Sequence, residues 1–318
     1  TATDTQNYTT STTSKEATLT INKVELIIKV NTPNSIFYGD DAPTFSYTCE
    51  GFVNGETESV LTTKPTISNS YVPGNNKGNY AITISGAKAN NYIISYVNSN
   101  LVVNPRVISI SWSNTSVTYN GQLQEPIPSF SNVYNNESIS YSLDNSYINK
   151  GTYTITASIS NQNYVLDNST ISTSFVINEL NLTNNTVIEV EGTYTYGGSA
   201  ITPVFTVTNG DISISSDNYT ATITNNVNAG TATITITGKN NCSGTASTTF
   251  EILRKPVTRP TVGTNKFDYT GNDITYIPAG FDSNYMSISG NVNAAIGTYS
   301  ATVSLNSNYM WSDTNTNE

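Results

Sequence analysis

The sequence predicts an all-β chain of small tandem β-sandwich modules, on three observations. The composition favours strands and tight turns, short segments alternate apolar and polar residues, and the same landmarks recur in the same order along the chain. Thr, Tyr, Val and Ile favour strands, while the abundant Asn, Gly and Ser favour turns. The hydrophobic fraction is 36%, with 21 Tyr against 9 Phe and 2 Trp. That is little for one large core. It suits several small cores finished at their edges by amphipathic tyrosine rings.

The first predicted strand is KVELIIKV, in which Val24, Leu26, Ile28 and Val30 share one face. A tyrosine followed within two residues by glycine comes next, at Tyr38-Gly39, and returns at Tyr119-Asn120-Gly121, Tyr196-Gly197-Gly198 and Tyr269-Thr270-Gly271. The second landmark is a Gly that opens a long strand: Gly78-Asn79-Tyr80, Gly151-Thr152-Tyr153, Gly230-Thr231-Ala232 and Gly297-Thr298-Tyr299. After it, Tyr153, Ile155, Ala157 and Ile159 alternate with Thr and Ser, as do Ala232, Ile234 and Ile236. Such period-two patterning buries one face and wets the other. The third landmark is Asn-Tyr, at Asn91-Tyr92, Asn163-Tyr164 and Asn308-Tyr309. Asn241-Cys242 occupies that place in the third unit, so Cys242 stands where a tyrosine is expected. Complete units close on a short apolar strand, such as Leu101-Val102-Val103, Phe175-Val176-Ile177 and Phe250-Glu251-Ile252. The landmark tyrosines are expected at core or sandwich-corner positions.

These landmarks divide the chain into units 23–104, 105–178, 179–254 and 255–318. The joints, such as Asn104-Pro105-Arg106 and Arg254-Lys255-Pro256, are short and hold no long Gly/Ser linker. Neighbouring modules are therefore expected at restricted angles, as an extended rod. Residues 1–22 are not a full unit. They align with the close of a repeat, Asn7-Tyr8 matching Asn163-Tyr164. At the other end Asn308-Tyr309 is followed only by MWSDTNTNE, so the last unit is expected to lack its closing strand. The opening TATDTQNYTT has neither basic residues nor an apolar run, so a mature form or an excised piece is expected.

FYGDDAPTFSYTCEGFVNGETESVLTTKPTI, 37–67, with GNYAITISGAKANNYIISYVNSNLVV, 78–103, resembles the YGX-type MBG repeat. The third and fourth units are similar to related Ig-like repeats of Gram-positive surface proteins. The resemblance implies tandem immunoglobulin-like β-sandwich modules from large bacterial surface proteins and adhesins, which act as spacers without catalytic residues. The antibody-type Cys…Trp…Cys signature is absent.

Chemistry offers little against that expectation. There is no histidine, the usual member of acid–base and nucleophile–base schemes. The two cysteines, Cys49 and Cys242, fall in different units, so no disulfide framework is expected. Asp40, Asp41, Glu50, Glu56 and Glu58 read as solvated turn residues, with a Ca²⁺ site as the sharper alternative. No cofactor is expected otherwise. The net charge of −10, without any Lys/Arg cluster, argues against nucleic acid. No apolar run approaches the ~18 residues of a membrane span. Lys29 faces away from the core side of its strand, which disfavours a cross-link to Asn104.

The expectation is thus a non-enzymatic extracellular structural repeat protein, the stalk or spacer of a cell-surface adhesin or surface fibre. Its expected partners are neighbouring repeats or identical subunits. Two further readings stand beside it. One is a filament subunit in which Ala17, Thr18, Leu19, Thr20, Ile21 and Asn22 act as a donor strand that completes unit 255–318 of the next copy. The other is an adhesin module that binds glycan or a host protein, for which stacking on exposed tyrosines is the natural chemistry.

Overall fold

A computed structural model describes residues 15–313. Among them the chain is all-β, its only helical elements being the 3₁₀ turns Glu58–Val60, Tyr134–Asn136 and Ser216–Asn218.

In the first repeat two sheets enclose one core. One sheet has the order Tyr47–Glu50, Val24–Val30, Tyr92–Val97; the other has Ile36–Phe37, Ser99–Asn104, Gly78–Ser85, Thr66–Asn69. Leu26, Ile28 and Val30 from the first meet Ile82, Ile84, Leu101 and Val103 from the second. These are alternate residues of their strands, as the period-two pattern requires, and each fully buried side chain contributes about 1.5–3 kcal/mol.

Both sheets contain a parallel pair that joins the start of the repeat to its end. The opening strand runs beside the Asn-Tyr strand, with Val24 opposite Tyr92. The short strand before Tyr38 runs beside the closing strand, with Ile36 opposite Val103. Parallel partners need a long crossover, and nearly the whole repeat supplies it. The opening pair recurs as Arg106 opposite Tyr164, Leu180 opposite Cys242 and Lys255 opposite Tyr309. Cys242 therefore occupies the tyrosine register position, as the spacing predicts. The second pair recurs as Ser116 opposite Val176 and Tyr194 opposite Ile252.

In the third repeat the sheets Thr186–Val190, Phe205–Asn209, Ile212–Ser213 and Tyr194–Thr195, Thr245–Leu253, Gly230–Gly238, Tyr219–Thr224 share a core of Ile188, Val207, Ile234, Ile236, Phe250 and Ile252. The second repeat has the sheets Ile127–Ser131, Arg106–Ser113, Tyr164–Leu166 and Ser116–Thr118, Ser172–Asn178, Gly151–Ile159, Tyr141–Leu143.

The fourth repeat is different. Thr302–Leu305 pairs with Met286–Ser289 and with no second strand among the described residues, whereas its counterparts Gly78–Ser85 and Gly230–Gly238 each lie between two strands. Its buried core is Met286, Leu305 and Trp311, with Arg259 stacked 5.1 Å over the Trp311 ring. Tyr269, the counterpart of buried Tyr38, is 66% exposed.

Contacts divide the chain into two compact units that pass through repeat 105–178. One holds the described part of Thr1–Ser111 with Ser129–Ser142 and Ala157–Ile171. The other holds Trp112–Pro128, Leu143–Thr156 and the described part of Ser172–Glu318. Ala17, Thr18, Leu19, Thr20, Ile21 and Asn22 belong to no strand, and Leu19 and Ile21 are 84% and 85% exposed. Asn7-Tyr8 lies outside the described residues.

Candidate functional site at the repeat joints

The Asn-Tyr landmarks do more than fill cores. In the first compact unit, Asn163 reaches from repeat 105–178 to the residues just ahead of the long strand of repeat 23–104. Its Oδ1 accepts from the Lys77 backbone N–H at 2.9 Å, and its Nδ2 donates to Asn76 Oδ1 at 2.8 Å. A backbone N–H can only donate, so the carbonyl oxygen must face Lys77 and the NH₂ must face Asn76.

The same clasp occurs twice in the second compact unit. Asn241 accepts from Lys150 N at 2.8 Å and donates to Asn149 Oδ1 at 3.0 Å. Asn308 accepts from Ala229 N at 2.9 Å and donates to Asn228 Oδ1 at 3.1 Å. The acceptors form a motif that is not among the landmarks above: Asn76-Lys77-Gly78, Asn149-Lys150-Gly151 and Asn228-Ala229-Gly230. Its signal in the sequence is an asparagine two residues ahead of the recurring glycine. In two cases the landmark tyrosine holds that asparagine's backbone. Tyr80 donates to Asn76 O at 2.6 Å and Tyr153 to Asn149 O at 2.8 Å.

Around the first clasp is a dense polar and aromatic contact. Tyr38 is 5% exposed and packs edge-on against Tyr164 and Tyr134, at 5.3 and 5.5 Å between ring centroids. The Glu137 carboxylate accepts from the hydroxyls of both Tyr38, at 2.8 Å, and Tyr164, at 2.7 Å. Burial, followed by the Glu137 hydrogen bond, pushes the Tyr38 phenol up to about 12, and the same causes raise Tyr164. Arg106 donates to Tyr38 O at 2.6 Å and pairs with Asp40 at 2.5 Å. Gly39 sits at φ +84°, and a Cβ there would lie 2.3 Å from Tyr134 Cδ2, so the glycine of Tyr-Gly leaves room for the next repeat's ring.

The second contact is narrower. Asn218 takes the place of the carboxylate, donating to Tyr119 OH at 3.2 Å and accepting from Asn241 Nδ2 at 3.1 Å. At the third, Tyr196 and Tyr309 meet edge-on at 5.4 Å. Tyr38, Tyr92, Tyr119 and Tyr164 are buried, as expected of core or corner positions, and Tyr38, Tyr164, Tyr196 and Tyr309 also lie where one repeat meets the next.

The carboxylates considered for Ca²⁺ face separate partners. Asp40 binds Arg106, Glu56 binds Tyr92, and Glu58 accepts from Tyr47 at 2.9 Å. Among the described residues, no three His, Cys, Asp or Glu side chains come together as metal ligands. Both cysteines are free thiols whose pKa is raised, first by burial.

Residues 26–102 match the MBG domain (YGX type) family. The match covers the first repeat, and the MBG domain points to a bacterial surface-protein repeat. Tyr38-Gly39, Gly78-Asn79-Tyr80 and Asn91-Tyr92 all lie inside the MBG segment. No curated protein matches the chain. No helix among the described residues is long and apolar enough to cross a membrane.

Proposed function

We propose that this chain is a non-enzymatic, extracellular structural protein, the stalk or spacer of a cell-surface adhesin or surface fibre, with Ig-like repeats strung as an extended rod. The observation that carries this reading is the asparagine clasp, made by the same atoms at three successive joints. A joint fixed by two hydrogen bonds and a short connection restricts the angle between neighbours, which a spacer needs. Small-angle scattering on the intact chain tests it. An elongated particle is expected, and a compact envelope would overturn the rod.

Exposed apolar residues favour a second reading, a filament subunit that polymerises head to tail. Leu19 and Ile21 stand in solvent, and so do Phe267, Tyr269, Ile296 and Tyr299 of the fourth repeat. In this reading Ala17–Asn22 of one copy adds a strand beside Thr302–Leu305 of the next. Sedimentation of the intact chain should then show concentration-dependent filaments that vanish when residues 17–22 are deleted. A chain that stays monomeric at high concentration rules the filament out.

A further inference from the structure

The first repeat carries, at the end away from the second, the same set of groups with which the second repeat receives the first. The opening strand is anchored identically: Val24 N–H bonds to Asn91 O at 3.2 Å, as Arg106 N–H bonds to Asn163 O at 2.9 Å. Tyr92 is buried like Tyr164. Its hydroxyl accepts from Val53 N at 3.2 Å, and that of Tyr164 accepts from Tyr134 N at 3.2 Å. Tyr92 then donates to Oε2 of Glu56, as Tyr164 donates to Oε2 of Glu137. The turns between match too. Asn54 and Gly55 have φ of 55° and 74°, where Asn135 and Asn136 have 47° and 55°.

What differs is occupancy. In the second repeat, Glu137 Oε1 receives the Tyr38 hydroxyl and the Asn163 amide clasps Asn76 and Lys77. In the first repeat, Glu56 Oε1 and the exposed Asn91 amide have no hydrogen-bond partner among the described residues. A carboxylate with one oxygen engaged and one free, beside an amide offering one acceptor and one donor, fits a specific counterpart. That counterpart is a tyrosine hydroxyl next to an asparagine and a backbone N–H, which is what the far end of a repeat presents.

Resting on the spacer reading, we infer that the Asn91–Tyr92–Glu56 face of the MBG segment docks the end of another repeat that carries both Tyr-Gly and Asn-x-Gly. The fourth repeat of a second copy is the poorer occupant. It offers Tyr269, but its counterpart of Asn-x-Gly is Ala295-Ile296-Gly297, so Asn91 Nδ2 would find no side-chain acceptor.

The test joins a second copy of residues 179–254 directly ahead of Val24 and follows amide hydrogen exchange at both Ala229 N–H groups. The added Ala229 is expected to be protected like the resident one. Asn91→Ala should cost it about tenfold in protection, the loss of roughly two net hydrogen bonds. Asn91→Asp, which keeps the acceptor and removes the donor, should cost less. Asn308→Ala is the control, with the same loss expected at the resident Ala229. If the control has no effect, the clasp and the spacer reading fall together. If the resident amide responds and the added one stays unprotected, only the docking face is wrong. Self-association of the unmodified chain that is abolished by Asn91→Ala would make a second copy the occupant and overturn the assignment.

Discussion

At the first joint Tyr38 and Tyr164 share Glu137, Tyr134 covers Gly39, and Arg106 pairs with Asp40. At the second, Cys242 holds the register position of Tyr164, Asn218 replaces the carboxylate, and Lys150 pairs with Glu179 at 3.0 Å in solvent. The surroundings share almost nothing. The clasp is the same to within 0.1 Å at its backbone bond, 2.9 against 2.8 Å. Geometry at a joint therefore belongs to the asparagine and the turn it grips, while the rings and charges around it set how firmly each joint holds.

The sharpest way to break this comparison is at the glycines of Tyr-Gly. Gly39→Ala puts a Cβ at φ +84° and into the Tyr134 ring, and should destabilise by about 3 kcal/mol in urea melts. Gly121→Ala, at φ +77° with its nearest atom 3.9 Å away, carries only the backbone strain, about 1 kcal/mol. Equal losses would mean that Tyr134 contributes nothing at the first joint.

Glu137→Gln comes next. A carboxylate that accepts from two phenols is replaced by an amide whose NH₂ faces one of them, at a cost of about 2 kcal/mol. The Tyr38 phenol should then titrate at lower pH, read by phenolate absorbance. No change in that titration would remove Glu137 from the account.

A pH series on the parent and on Glu137→Gln isolates the first joint. Tyr38 is neutral in both states below its ordinary value near 10, and its folded pKa is about 12. Its contribution is thus fully present below pH 10. Between pH 10 and 12 the unfolded chain loses its proton first and stability falls. Glu137→Gln should flatten that alkaline loss. The smallest effect is expected at the second joint, where Lys150→Met removes a solvent-exposed ion pair. The difference in stability between parent and variant should be larger in low salt than in high salt.

The fold was legible because burial writes itself into alternate residues. Leu26, Ile28 and Val30 and the run Ala232, Ile234, Ile236 fall in cores as their spacing requires. The replacement of tyrosine by Cys242 was legible for the same reason, since landmark order fixes strand register. The joints were not. Periodicity reports which face of a strand is dry, and Asn163, Asn241 and Asn308 sit in turns, where no period applies. Their partners Asn76, Asn149 and Asn228 are three asparagines in a chain crowded with them. Only the fold shows that each faces the next repeat. The division of the chain through 105–178 left no trace in composition either.

The parallel pair formed by the closing strand and the short strand ahead of Tyr-Gly has a mechanical consequence. With Ile36 opposite Val103 and Tyr194 opposite Ile252, the chain leaves each of these repeats along a strand that runs parallel to a short strand shortly after its opening strand. Tension between the two termini slides such strands lengthwise past each other, so the ladder's hydrogen bonds are strained together and none can be opened singly like the teeth of a zip. Forced unfolding is governed by the barrier to that shared rupture. A repeat stitched in this way is expected to give first at this short parallel pair when its two ends are pulled, which forced unfolding of the chain checks.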